Sequence, residues 1–355
     1  MRIWLIEPYF GGSHRAWAEG YRRHSRHEVE LITHEARFWK WRMQGAHLTL
    51  SAAAASLPGP PDVVLASSML NLAGFLGAAR RSVGDAPVVV YLHENQLAYP
   101  RSPLDRADAA YPMVNWTSAS VADLVLFNSA YHRDRFFSLL PAFLHQFPDH
   151  RHDDLVAAVR GRAEVIPVGV DLAEVPRGAE KGEPPLIVWN HRWEHDKGIA
   201  ELAAAVRALV DTGANFRMAI CGEQFVSVPD AFASLPGLLG DRLIQFGFAP
   251  EPEYRALLAD AAITLSTAFQ EFFGVAVVEA MSAGAVPVLP NRLVYRERAP
   301  DRRCLYADDP VPTLEWLLGD PEVRARLGAA AQEEVARFAW PVVAGQMDDR
   351  LEALR

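Results

Sequence analysis

Short β-branched apolar runs alternate with longer helical segments along nearly the whole chain, and this alternation constrains the fold more than any other feature. RIWLIE (2–7), EVELIT (28–33), DVVLAS (62–67), VVVYLH (88–93), DLVLFN (123–128) and AEVIPV (163–168) read as strands. Most are continuous apolar runs, as expected when both faces of a parallel sheet are covered. Segments 14–25, 70–82, 113–121 and 130–146 are long enough for crossover helices. The charged, proline-rich stretch VDLAEVPRGAEKGEPP (170–185) has no periodicity and reads as a linker. The alternation then restarts with strands at LIVWNH (186–191), FRMAICG (216–222), LIQFGF (243–248), ITLSTA (263–268) and VPVLP (286–290), and with helices over 197–212, 252–260 and 274–283. The chain ends in helices, and the Trp340-Pro341 step should kink or break the last one before 342–354. The expected architecture is α/β: two Rossmann-like, doubly wound domains in tandem. They span 1–169 and 186–338, with a linker at 170–185 and a final helical segment at 339–355.

A length of 355 residues suits two such domains. Cys221 and Cys304 stand far apart, with no CxxC and no histidine pair at ligand spacing. This argues against a disulfide framework or a structural zinc and for a reducing compartment. The apolar run of MRIWLIEPYF is short for a secretory signal and is interrupted by Glu7. No apolar run approaches the roughly 20 residues that cross a bilayer. A cytoplasmic protein without membrane insertion is expected. Its net charge of −9 is unevenly spread: residues 1–168 hold 17 Lys+Arg against 16 Asp+Glu, and residues 169–355 hold 18 against 28. RRHSRH (22–27) and RFWKWRM (37–43) are basic clusters within the neutral half. Each is either a solvated face or a surface for a polyanion.

In open parallel sheets, ligands bind beyond the carboxyl ends of the strands, and unusual chemistry follows four of them. After the first strand comes EPYFGGSHR, where Gly11-Gly12 and a helix start near Ser13 suit a phosphate or an ordinary turn. After 88–93 comes the polar cluster His93, Glu94, Asn95 and Gln96. After 186–191 comes NHRWEHDKG, whose Arg192 and Lys197 bracket a helix start, as surface cations or as a diphosphate clamp. Lys197 is one of three lysines against 32 arginines, so a free choice of cation there favours Arg. After 263–268 comes QEFFGVAVVEAM. Here Glu279 sits in a helix apolar on nearly every side, and Glu271 precedes that helix by a Phe-Phe-Gly turn expected to point its amides outward. A buried carboxylate is costly alone. Glu279 therefore protonates, meets a buried cation, or accepts hydrogen bonds from a ligand. Two carboxylates two helical turns apart suit something long and hydroxyl-rich, such as a nucleotide sugar.

Together these pieces resemble the retaining glycosyltransferases of the GT-B fold, family 4. Glu271 and Glu279 match its E-x7-E motif, Arg192 and Lys197 its phosphate-binding pair, and Gly11-Gly12 its N-terminal glycine loop. EPYFGGSH, FWKWRM, YLHENQLAYP, NHRWEHDKG and FQEFFGVAVVEAM look like the tRNA-queuosine α-mannosyltransferase subfamily, which moves mannose from GDP-mannose to the cyclopentenediol of queuosine in tRNA-Asp. The resemblance spans nearly the full chain. It implies two domains facing a cleft, with a C-terminal helix crossing back to the first domain. It implies catalytic roles for Glu271, Arg192, Lys197 and His93, with His93 near the anomeric carbon. It implies donor binding by Gly11, Gly12, Asn190, Phe272, Phe273, Gly274, Val275 and Glu279. Ser13, His14, Trp39, Lys40, Trp41, Arg42, Asn95 and Gln96 are then candidates for the acceptor side. There Trp39 and Trp41 either stack on bases, with Lys40 and Arg42 on phosphates, or are core tryptophans with surface cations beside them. No metal and no cofactor are implied beyond the nucleotide-sugar co-substrate, and no obligate protein partner. The partners are the nucleotide sugar and tRNA.

Two other readings compete. One is a GT-B enzyme using another sugar or a glycan, lipid or small-molecule acceptor. The basic FWKWRM cluster argues against it. The other is a non-catalytic nucleotide-sugar or RNA-binding module, disfavoured by the two carboxylates and two cations. A nicotinamide dehydrogenase would need GxGxxG with an acidic residue about 20 positions on, and the chain has none in that place.

Overall fold

The computed structural model describes residues 1–99, 108–173, 176, 179–223 and 228–355. Pro100 of YLHENQLAYP and residues 174, 175, 177 and 178 of the expected linker lie outside the described residues. The chain forms two compact units, Met1–Gly169 with Trp340–Arg355, and Val170–Ala339.

The first unit holds strands β1 (Arg2–Phe10), β2 (Glu28–Glu35), β3 (Val63–Ser67), β4 (Val88–Leu92), β5 (Leu124–Phe127) and β6 (Ala163–Val165). Its helices are α1 (Gly12–His24), α2 (Trp39–Ala55), α3 (Leu72–Val83), α4 (Ala110–Val121), α5 (Ala130–Leu144) and α6 (Asp153–Gly161). Among the described residues the strands pair in parallel in the order β2-β1-β3-β4-β5-β6. Every residue of β3, β4 and β5 is buried, which is why these strands read as unbroken apolar runs. The order reverses between β1 and β3, the place where such sheets bind ligands. Helix α2 is an addition to the sequence reading. Its Ala-rich second half lacks contrast between faces, and it buries Ala46, Leu50 and Ala54 in the same cluster as Leu72, Phe75 and Ala79 of α3.

The last helix, α14 (Trp340–Glu352), belongs to this unit. Pro341 falls in its first turn, where a missing N–H costs no helical hydrogen bond, so the proline starts this helix and does not kink it. The Trp340 ring fills a slot between two glycines. A Cβ on Gly20 or on Gly169 would lie 2.2 Å from ring carbons of Trp340. Buried Asp348 accepts hydrogen bonds from Tyr21 Oη (2.7 Å), Ser25 Oγ (2.7 Å) and the Arg26 amide (2.9 Å). Burial, then this contact, raises the Tyr21 phenol above its ordinary value.

The second unit holds β7 (Leu186–Asn190), β8 (Arg217–Cys221), β9 (Leu243–Gly247), β10 (Ala261–Leu265), β11 (Val286–Pro290) and β12 (Leu305–Tyr306). Its helices are α7 (Ile199–Asp211), α8 (Asp230–Ala233), α9 (Leu235–Leu239), α10 (Glu251–Asp260), α11 (Val275–Ser282), α12 (Val311–Gly319) and α13 (Pro321–Val335). The parallel order β12-β11-β10-β7-β8-β9 reverses between β7 and β10. Alternate residues of β7 feed two cores, Ile187 and Trp189 on one face and Leu186 and Val188 on the other. The stretch read as a linker is bound to this unit. Val170 bridges Ala339, the Ala173 amide donates to Ser282 Oγ at 2.9 Å, and Lys181 Nζ donates to the Ala259 and Ala283 carbonyls at 2.6 Å each. Among the described residues no helix is long and apolar enough to cross a membrane, and Cys221 and Cys304 are free and buried.

Candidate active site

In the second unit, Asn190 ends β7, and the chain passes through His191, Arg192 and a 3-10 turn (His195–Lys197) into α7. Gly198 makes that entry with φ +71°, and a Cβ there would lie 2.2 Å from the Thr267 carbonyl oxygen. The turn and the end of β10 are therefore pressed together. Lys197 Nζ donates to the Gln270 carbonyl at 3.0 Å and to Glu271 Oε2 at 3.3 Å, and lies 3.2 Å from Asp196 Oδ2. Burial works against the Lys197 charge, but Glu271 and Asp196 outweigh it and hold its pKa above the ordinary lysine value. Burial would likewise raise Glu271, and Lys197, His191 and the Phe273 amide leave it below the ordinary glutamate value. Both members are charged. Arg192 is exposed, with Nη2 3.3 Å from Glu194 Oε2.

The Phe-Phe-Gly turn differs from expectation. The amides of Phe272 and Phe273 donate to Glu271 Oε1 (3.1 and 3.4 Å), so the carboxylate folds back on its own turn. Both phenyl rings are buried, and Phe273 with Phe338 sandwiches the Arg298 guanidinium at 4.6 and 4.7 Å. Arg298 donates to the Phe273 carbonyl (3.1 Å), and burial pulls its pKa to about 10. Gly274 caps α11 with φ +85°, a conformation that suits glycine.

Helix α11 is not buried all round. Val275, Ala276 and Glu279 share one partly exposed face. The partner of Glu279 is neither a cation nor absent: Tyr254 Oη, from α10, donates to Glu279 Oε2 at 2.8 Å. Asn190 Nδ2 donates in turn to Tyr254 Oη and to the Ala276 carbonyl, each at 2.9 Å. Burial still raises Glu279 above the ordinary value, with the tyrosine opposing. Asn190 Oδ1 is buried and has no hydrogen-bond partner among the described residues. Tyr254, Asp196 and Arg298 were missed by sequence reasoning, because nothing in their local pattern departs from an ordinary helix or turn.

In the first unit, Glu7 is fully buried near the end of β1. Its Oε1 accepts from the Tyr9 amide (2.8 Å), and its Oε2 is hydrogen-bonded to His14 Nδ1 (2.9 Å). Ser13, exposed, and half-buried His14 lie in the first turn of α1. Gly11 is needed because a Cβ would fall 2.4 Å from Ala36 Cβ, whereas Gly12 (φ +51°) faces open space. The His14 ring lies 4.6 Å from that of His93, which Trp17 and Tyr91 also enclose at 4.5 and 4.8 Å. Burial, then His14 and His132, holds His93 well below the ordinary histidine value, so it is neutral. His93 Nε2 is buried without a hydrogen-bond partner among the described residues. Glu7 had been visible only as a break in an apolar run.

Donor atoms of Glu7, His14 and His93 lie within 4.8 Å of one another, a set that could hold a metal ion. Two ligands on tetrahedral zinc stand roughly 3.3 Å apart, and the 2.9 Å between Glu7 and His14 fits the hydrogen bond better. Asn95 is buried and its Oδ1 closes a turn on the Ala98 amide (2.9 Å), so it shapes its loop. Half-buried Gln96 is held through its amide by Asn115 Oδ1 (2.8 Å). Trp39 packs 5.2 Å from Tyr111 beside Met43, Met69 and Val114. Lys40 Nζ lies 5.5 Å over the Trp39 ring, Arg42 Nε donates to the Glu35 carbonyl (3.2 Å), and Trp41 is exposed.

The family described as tRNA-queuosine alpha-mannosyltransferase N-terminal matches residues 2–170, and the family glycosyl transferases group 1 matches residues 173–334. The tRNA-queuosine alpha-mannosyltransferase of Drosophila melanogaster is 33% identical over 316 residues, covering 84% of this chain and 81% of that one. A GDP-mannose:cellobiosyl-diphosphopolyprenol alpha-mannosyltransferase of Xanthomonas campestris is 26% identical over 213 residues, 56% of each chain. Among solved structures, sucrose-phosphate synthase from Thermosynechococcus elongatus has a TM-score of 0.70 at 17% identity, covering 100% of this chain and 99% of that one. A lipopolysaccharide outer core galactosyltransferase in its apo form has a TM-score of 0.65 at 13% identity and covers 100% of both. The fold is that of the GT-B glycosyltransferases.

Proposed function

Because this chain belongs to the tRNA-queuosine alpha-mannosyltransferase family, we propose that it moves mannose from GDP-mannose to the queuosine nucleoside of tRNA-Asp, in the cytoplasm, with retention of configuration. The observation that carries the acceptor is the family match over residues 2–170, the whole first unit apart from its last helix. The donor assignment rests on the Lys197–Glu271 pair and the Asn190–Tyr254–Glu279 chain beside the β7/β10 reversal.

In this reading, Lys197 and exposed Arg192 neutralise charge developing on the leaving diphosphate. Glu271 accepts from sugar hydroxyls, and Glu279, oriented by Tyr254, accepts from the ribose. Asn190 Oδ1 offers a further acceptor, and Phe272 to Val275 shape the backbone beneath. The bond from the anomeric carbon to the diphosphate oxygen breaks as the acceptor hydroxyl attacks the same face, and the released diphosphate takes the hydroxyl proton. The protein supplies position and electrostatics. Gly12 and α1 present a phosphate-compatible turn, His14 and neutral His93 provide hydrogen-bonding partners for hydroxyls, and Ser13, Gln96 and the Trp39–Arg42 segment serve the acceptor. No metal or further cofactor is required. The test is incubation with GDP-, UDP- and ADP-sugars and queuosine-containing tRNA, followed by mass analysis of the nucleosides. A hexose gained only from GDP-mannose is expected; no gain from any donor defeats the proposal.

A further inference from the structure

At the start of α2 two aromatic rings are held out from the surface. Phe38 is 77% exposed and Trp41 63% exposed, and Phe38 is the most exposed large apolar side chain among the described residues. Phe38 also adopts left-handed backbone angles, φ 51° and ψ 56°. A bulky residue disfavours that conformation, and its exposed ring recovers nothing through packing. Glycine would fold there more comfortably.

Trp41 is fixed although it is exposed. One edge of its benzo ring lies over Gly45, where an added Cβ would come within 3.0–3.2 Å of three ring carbons. The Phe38 carbonyl accepts from the Trp41 amide (2.8 Å) and the Arg42 amide (3.0 Å), tying the two aromatic positions into one turn. Half-buried Trp39 anchors that turn against Tyr111. Such an arrangement removes the ordering cost of a contact before the contact is made.

We propose that Phe38 and Trp41 form a preorganised platform on which unpaired bases of the acceptor RNA stack, with Trp39 as its anchor. The proposal rests on the tRNA-acceptor reading above and sharpens it. Lys40 is exposed beside the rings, Arg37 is exposed and ion-paired with Glu35 (3.2 Å), and Arg42 is half-buried. These three cations favour a phosphate backbone and oppose the approach of a second copy of the same face. Aromatic faces accept any base, so the platform adds affinity for RNA flanking the modified nucleoside and leaves selection of that nucleoside to other residues.

The test compares Phe38→Gly, Trp41→Ala and the double variant. Stacking is worth a factor of about five to 150 per base. Each single change should raise KM for queuosine-containing tRNA within that range, and more than it raises KM for the free queuosine nucleoside. The thermal midpoint of Phe38→Gly should be no lower than that of the unaltered protein. An unchanged tRNA KM in the double variant overturns the proposal, as does an equal rise for tRNA and nucleoside. A dimer seen by sedimentation and abolished by Trp41→Ala would assign the rings to self-association and overturn it too. If the unaltered protein transfers nothing to either acceptor, the functional reading fails separately. Filter retention of the same tRNA then tests the platform: weaker retention by the double variant supports it and equal retention overturns it.

Discussion

Lys197 and Glu271 stand 74 positions apart in the chain, and their side chains meet at 3.3 Å. One comes from the turn after β7 and the other from the loop after β10, neighbouring strands at the point where the strand order reverses. The pair thus forms only once that half of the sheet is assembled. Both side chains are mostly but not fully buried. Removing one member leaves the other charge under-compensated, at a cost below the about 3–5 kcal/mol of a fully buried pair. Lys197→Met should therefore lower unfolding free energy, and Lys197→Met with Glu271→Gln should recover part of the loss while activity stays at the level of the single variants. Denaturant unfolding and steady-state rates on the same three proteins decide this. A double variant whose loss equals the sum of the two single losses would show that the pair does not couple.

Arg192 is exposed, so its loss should leave the fold intact. Arg192→Ala should lower kcat/KM by about 100-fold or more, the usual cost of losing one charge-stabilising contact in the transition state. An unchanged thermal midpoint with unchanged turnover would remove Arg192 from the leaving-group site.

Tyr254→Phe removes a single hydroxyl. Glu279 then loses its donor and Asn190 Nδ2 one of its two acceptors, at a cost of about 1–3 kcal/mol. With the opposing contact gone, the Glu279 pKa should rise further, and the KM for the nucleotide-sugar donor should rise with it. A variant with unaltered stability and donor KM would show the chain of hydrogen bonds to be incidental.

Each unit carries a histidine that burial pulls down to about 3, His132 in the first and His191 in the second. Unfolded histidine titrates near 6.5. Above that both states are neutral and there is no penalty. Below it the unfolded chain binds protons that the folded chain refuses, so stability falls from about pH 6.5 toward 3, by about 1.4 kcal/mol per pH unit for each such histidine. Unfolding at pH 7.0, 5.5 and 4.5 should show this slope, and His132→Asn should reduce it by one histidine's share, leaving those of His191 and of His93, which burial also lowers. The same slope in that variant would mean that His132 is not a source.

Gly20→Ala and Gly169→Ala each place a carbon inside the Trp340 ring and should destabilise by about 1–3 kcal/mol. Combined with Trp340→Ala, their effects should fall short of additive, because the obstruction is gone. Additive losses would show that the slot is not shared.

The strands were legible because each is a short apolar run closed by turn residues, and the two-unit α/β fold follows from their spacing. Helix α2 was less legible, since a stretch such as Ser51-Ala52-Ala53-Ala54-Ala55 shows no polar face from which to read a period. The carboxylates Glu271 and Glu279 stood out because charge is unexpected beside apolar residues. Glu7 offered the same signal inside β1 and was read only as an interruption. The partner of Glu279 was not legible. Tyr254 lies 25 positions upstream, in a helix whose placement depends on the order of strands. Whether Trp39 or Phe38 stands outward depends on one left-handed residue, and composition does not report a φ angle.

The chain leaves the first unit at Gly169 and re-enters it at Trp340, and those two residues touch. The second unit is thus a guest inserted between two parts of its host. During synthesis the first 169 residues emerge without the helix that covers Tyr21 and carries Asp348, so the host must wait, with that face open, while the guest is made and folded. A ribosome that stops just after Ala339 would release a complete guest attached to an unfinished host.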